Sequence, residues 1–280
     1  MTKLDFDQLL DVPTLRAALA ESRGRNVNVA VLDTGVDVTH PDLQGVVSRS
    51  VEVVAEGRSL VCRDVPAELL SAAELDPVGH GTACAGIIHE LAPEARIISV
   101  RVIGASATGT GEQFVRGLQW VLEQTEPPIR AVNLSLGTLQ DRFAIPLRRL
   151  VDQAYFQGVV LVAAGNNMGM PSYPAVFASL IAVDNESYTD PTTFEFRVGQ
   201  TLELAARGIY VRAPKSGGGY QLWTGTSFAC PHITGQVARL LSINPALTPF
   251  QIKTLLYVLR ANRTPKEAQE PAIREGPRPQ

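Results

Sequence analysis

Asp33-Thr34-Gly35, His80-Gly81-Thr82 and Gly225-Thr226-Ser227 stand in the chain order Asp, His, Ser, each beginning or ending a segment able to deliver its side chain to a shared crevice. That order is one of the few known routes to a serine nucleophile with a histidine base. Asp33 follows the apolar run VNVAVL, which puts its carboxylate at the carboxyl end of a strand, where open α/β sheets place their sites. His80 precedes TACAGII and Ser227 precedes FACPHITGQVARLL, so both belong at helix N-termini in the same crevice. Asn166 comes directly after VVLVAAG and aims its carboxamide there too.

The elements that must hold these groups are legible as period and punctuation. Apolar, β-branched runs recur at 27 to 33, 95 to 103, 131 to 136, 159 to 164 and 179 to 184. Near-continuous apolarity predicts strands covered on both faces, as in a parallel sheet. Helical stretches lie between them. One spans 111 to 124 with Phe114, Leu118, Val121 and Leu122 on one stripe, and another spans 145 to 157 with Pro146 in its first turn and Gly158 as its stop. Two more run from about Ser227 to Ser242 and from Pro249, capped by Thr248, to about Arg260. The alternation predicts an α/β fold of three layers, a mostly parallel central sheet with helices on both faces. Residues 1–261 read as one domain and 262–280, rich in Pro and charge, as a disordered tail or linker.

Four stretches, VAVLDTGVDVTHPDL (29 to 43), GHGTACAGI (79 to 87), VVLVAAGNN (159 to 167) and GTSFACPHITG (225 to 235), together resemble the subtilisin family of serine proteases. The likeness runs from about Val12 to about Tyr257, with the motifs in the right order. It implies an endopeptidase acting on extended polypeptide through an acyl-enzyme. Ser227 would attack the scissile carbonyl, His80 would take its proton and hand it to the leaving amine, and Asp33 would hold the imidazole tautomer. In the family Asn166 would donate to the oxyanion together with the backbone N–H of Ser227, while Asn167 has only a turn role.

The resemblance also implies that substrate binds as an added strand between Ala107-Thr108-Gly109 and Ser135-Leu136-Gly137. Gly137, Ala163, Ala164 and Ser172 would line the pocket for the residue before the cleaved bond, their small walls suiting an apolar side chain. His40 and His232 stand where the family keeps structural histidines, and His89 reads as a surface or helix-end residue. Cys84, four residues after His80, stacks one turn behind it, an inert small hydrophobe or a target for mercurials, and Cys230 is read likewise.

Two features depart from the family. Only about 30 residues precede Asp33, which suits a mature catalytic domain without its prodomain. The segment after AGII holds His89-Glu90 where calcium-binding subtilisins insert an ion-caging loop, so Asp42 lacks the rest of an oxygen cage. No metal and no other cofactor is expected there. The 47 residues from Asp33 to His80 contain an insertion with a hairpin turn near Glu56-Gly57 that could overhang the substrate groove.

Composition bounds the rest. With 280 residues, 45% hydrophobic and 19% charged, the chain can bury one sizeable core. A net charge of -3 disfavours nucleic acid and anionic membranes as partners. No apolar run reaches membrane-spanning length and no signal peptide opens the chain. With three cysteines, too few for a disulfide framework, this predicts a cytoplasmic protein, a secreted mature form staying open. The expected partners are a peptide or protein substrate and a separate inhibitor or regulator. Two rival functions remain: a precursor-peptide maturation protease or macrocyclase in which an amine resolves the acyl-enzyme, and an inactive subtilase-shaped binding module. An α/β-hydrolase esterase is disfavoured because Ser227 lies in Gly-Thr-Ser-Phe-Ala rather than Gly-x-Ser-x-Gly.

Overall fold

A computed structural model describes residues 4–66, 70–104 and 109–261. The helices in chain order are α1 (Phe6–Leu9), α2 (Val12–Glu21), α3 (Ala72–Leu75), α4 (His80–Leu91), α5 (Gly111–Glu123), α6 (Ala144–Phe156), α7 (Thr226–Ile243) and α8 (Pro249–Leu259). The strands are β1 (Asn28–Asp33), β2 (Val47–Glu56), β3 (Ser59–Asp64), β4 (Arg96–Arg101), β5 (Ala131–Leu134), β6 (Val160–Ala164), β7 (Ile181–Glu186), β8 (Phe194–Phe196), β9 (Leu204–Arg207), β10 (Val211–Pro214) and β11 (Tyr220–Trp223).

Nine strands form one sheet in the order β3-β2-β4-β1-β5-β6-β7-β9-β8. Only the outer pairs β2/β3 and β8/β9 are antiparallel. The expected mixed α/β fold is present. Along β1 the side chains alternate between two cores: Val29 and Val31 join α2, α4, α7 and α8 on one face, and Ala30 and Leu32 join α5 and α6 on the other. Fully burying a side chain such as Leu32 contributes about 2 kcal/mol, so both faces commit the strand. The predicted stripe Phe114, Leu118, Val121 and Leu122 is buried on α5. Thr248 caps α8 through a reciprocal bond with Gln251.

The strand order reverses about β1, with β4 on one side and β5 on the other, and Asp33 ends β1 at that point. Crevices in open α/β sheets lie at such reversals, beyond the carboxyl ends of the strands. The insertion after Asp33 supplies β2 and β3, turning at residues 57 and 58. It extends the sheet at its edge beside β4 rather than folding over the crevice, because β2 pairs with β4 in register from Arg49 to Glu52. α3, the last element of the insertion, does turn back to the site: the side chain of Arg101 donates to the carbonyl of Glu74, and Ser216 Oγ to that of Ala72.

Sequence patterning did not reveal α1, α2, β8, β9 or the β10–β11 ribbon. β8 to β11 are three or four residues each, too short to display a period. The ribbon packs Val211 and Ala213 with Ala83, Ile87 and Phe228 in a third small core that Trp223 partly covers. None of the described helices is long and apolar enough to cross a membrane.

Candidate active site

Asp33 is buried at the end of β1, and its Oδ1 accepts both the backbone N–H of Thr34, at 2.8 Å, and Nδ1–H of His80, at 2.7 Å. His80 is the first residue of α4. Gly81 makes this approach feasible, because a Cβ there would strike the carbonyl of Gly35 and lie 3.0 Å from Asp33 Cβ; Gly35, at φ +112°, likewise lets the carbonyl of Leu75 come close. A second carboxylate, Asp76, clamps the pair. It is wholly buried and accepts Thr34 Oγ1 at 2.7 Å, Gly79 N–H at 2.8 Å, Thr82 N–H at 2.8 Å and Thr82 Oγ1 at 2.5 Å. Thr34 Oγ1 in turn accepts Gly81 N–H at 3.0 Å, so the turn after Asp33 and the first turn of α4 are tied together.

Ser227 is the second residue of α7, the helix that crosses the core. Pro231 lies inside that helix and has no N–H, which leaves the carbonyl four residues back, that of Ser227, without its helical donor. Other elements fill the gap. Ser135 Oγ donates to it at 2.7 Å from just past β5, and the Cys84 thiol at 3.5 Å from α4. Ser227 Oγ donates to the carbonyl of Ser135 at 3.2 Å. Behind Ser135, Asn133 Nδ2 donates to its hydroxyl at 2.9 Å, and Thr234 Oγ1 donates to Asn133 Oδ1 at 2.9 Å. A missing backbone donor thereby couples the serine to the strand beside it.

Burial, the largest single influence, would lower the proton affinity of His80, but the Asp33 carboxylate and the Cys84 side chain together outweigh it and the imidazole pKa is raised. The face of the ring is walled by Phe228, at 5.1 Å between centroids, and by Trp223, perpendicular at 6.4 Å. Cys84 and Cys230 are both buried, and burial pushes both thiols up. The donor atoms of Asp33, His80 and Cys84 lie within 4.8 Å of one another, but Asp33 is engaged by His80 and the Cys84 thiol by Ser227. Burial lowers the His232 pKa to about 4, and its Nδ1–H donates to the carbonyl of Phe228 at 2.7 Å. His40 donates from Nε2 to the carbonyl of Gly219 at 2.9 Å, bridging to the β10–β11 turn. His89 sits in the last turn of α4, half-buried.

Asn166 follows β6; its Oδ1 accepts Met168 N–H at 2.8 Å, which leaves Nδ2 as the uncommitted end. Gly137 lies against Ser172 and Tyr173, and Thr138 and Tyr173 exchange backbone hydrogen bonds of 2.9 and 2.8 Å. Leu136 is half-buried and Gly137 exposed. Ala163 and Ala164 are buried in opposite cores, as neighbours on a strand must be, so their side chains point to opposite faces of the sheet. Gly109 packs against the end of β4, while Ala107 and Thr108 lie outside the described residues. Sequence reasoning missed Asp76, Trp223 and the hydrogen bond from Thr226 N–H to Asn167 Oδ1. Asp76 was four residues before His80 in plain view, but only the fold shows that its partners are Thr34 and Thr82.

Parallel sheet, crevice at the strand reversal and an Asp–His pair beside a helix-borne serine define a protein of the serine-hydrolase kind. The chain belongs to the subtilase family, whose model matches residues 24–270. It is 31% identical over 270 residues to subtilisin DY of Bacillus licheniformis, covering 90% of each chain. It is 33% identical over 259 residues to subtilisin Savinase of Lederbergia lenta, covering 88% of each. A solved cold-adapted subtilisin-like serine proteinase superposes with a TM-score of 0.67 at 28% identity, over 85% of this chain and 83% of that one. The protein is a subtilisin-type serine endopeptidase.

Proposed function

We propose that this enzyme cleaves extended peptide segments through Asp33, His80 and Ser227, with Asn166 and the N–H of Ser227 receiving the oxyanion. The observation that carries the reading is the 2.7 Å bond from His80 Nδ1 to Asp33 Oδ1. It fixes the tautomer in which Nε2 is the free base. Ser227 Oγ turns from the carbonyl of Ser135 to His80 when substrate arrives, since such bonds tighten only in the complex. Oγ then bonds to the scissile carbonyl carbon, its proton passes to Nε2, and the carbonyl oxygen takes the negative charge. Collapse breaks the C–N bond as Nε2 returns the proton to the leaving amine. Water repeats the sequence on the acyl-enzyme and frees Ser227.

Substrate lies along Ser135-Leu136-Gly137 as an added strand, with the side chain before the cut bond near Gly137 and Ser172. A fluorophosphonate probe tests the serine directly. The protein is expected to gain one label on Ser227, and Ser227→Ala none; an unlabelled wild-type chain would instead fit the inactive binding module.

A further inference from the structure

We propose that Asn167 is a positioning residue for the oxyanion pocket, a role that rests on the assignment of Asn166 as oxyanion donor. The two oxyanion donors sit on separate segments, Asn166 on the loop after β6 and Ser227 N–H in the first turn of α7, and a contact must set their separation. Asn167 supplies it. Its Oδ1 accepts Thr226 N–H at 2.9 Å and lies 3.2 Å from Thr226 Oγ1. Thr226 Oγ1 also donates to the carbonyl of Gly165 at 2.6 Å. The residue before the serine is thus held by both chain neighbours of Asn166.

α7 needs this help. Its N-cap is Gly225, which has no side chain to satisfy the first N–H groups of the helix. Asn167 caps it from a distant part of the sequence. Gly225 is suited to the approach: its φ is +146°, and a Cβ there would sit 3.2 Å from Asn167 Oδ1. Donors held in place before the reaction stabilise developing charge without reorganisation, so loosening one segment against the other should slow chemistry more than it weakens binding.

The test compares Asn166→Ala, Asn167→Ala and the double variant on a peptide anilide, with folded sites counted by fluorophosphonate titration. Removing Asn166 should lower kcat by about 10² to 10³, the range seen for the equivalent donor in a subtilisin, a relative of this chain. Removing Asn167 alone should lower kcat about tenfold with KM within a factor of two. The double variant should be within about twofold of Asn166→Ala, because with one donor gone there is no separation between the two left to set. Multiplying losses, or Asn167→Ala with wild-type kcat per titrated site, would overturn the inference while leaving Asn166 in place. Normal turnover in Asn166→Ala would overturn the oxyanion assignment itself. Should Asn167→Ala not fold, Asn167→Ser, judged by the same criteria, decides the matter.

Discussion

Asp33 sets the working pH of His80. The base must be neutral to accept a proton, so kcat/KM falls as pH drops through the imidazole pKa, which Asp33 holds above its ordinary value. Asp33→Asn removes the charge that raises it. The acid limb of the kcat/KM profile is expected to move to lower pH, with kcat reduced by about 10⁴ because the tautomer is no longer enforced. A profile whose acid limb stays in place would show that another group governs it. The residues proposed to react could be picked out because each sits next to an unambiguous local signal: Asp33 after a strand, His80 and Ser227 opening helices. Asp76 and Asn167 were not, since a carboxylate or carboxamide announces its type and not the backbone N–H it will reach.

At the scale of elements, α7 gives up a helical hydrogen bond to connect Ser227 with β5 and α4. Restoring that bond is informative. Pro231→Ala would return an N–H to the Ser227 carbonyl and compete with Ser135 Oγ, which now donates to it at 2.7 Å. The variant is expected to melt no lower than wild type, since interior proline disfavours a helix by about 3 kcal/mol, yet to turn over several-fold more slowly. Unchanged kcat alongside higher stability would mean that the freed carbonyl serves folding alone. The central strands and α5 to α8 were predictable because a strand buried on both faces reads as an unbroken apolar run and an amphipathic helix repeats its period over ten or more residues. The β10–β11 ribbon leaves no such record, and it was invisible although Trp223, next to His80, belongs to it.

Across the whole molecule, Asp42, which the sequence leaves without the rest of a calcium cage, is met by a side chain. Both oxygens of Asp42 lie within hydrogen-bond reach of the Tyr220 hydroxyl, at 2.9 and 2.8 Å, and Arg212 stacks over the Tyr220 ring at 3.6 Å. This joins the turn after β1 to the β10–β11 ribbon. Dialysis against a chelator is expected to leave Tm unchanged, while Tyr220→Phe lowers it slightly, the bond being exposed to water. A large chelator effect would reveal a metal holding the fold. The sequence by itself determined the layered α/β architecture and singled out the groups proposed to react, because hydrophobic period and helix-start chemistry are local. Only the tertiary structure decided which orphaned backbone groups, the Ser227 carbonyl and the Thr226 amide, are met by Ser135 and Asn167, because those partners are distant in the chain and are brought together by packing.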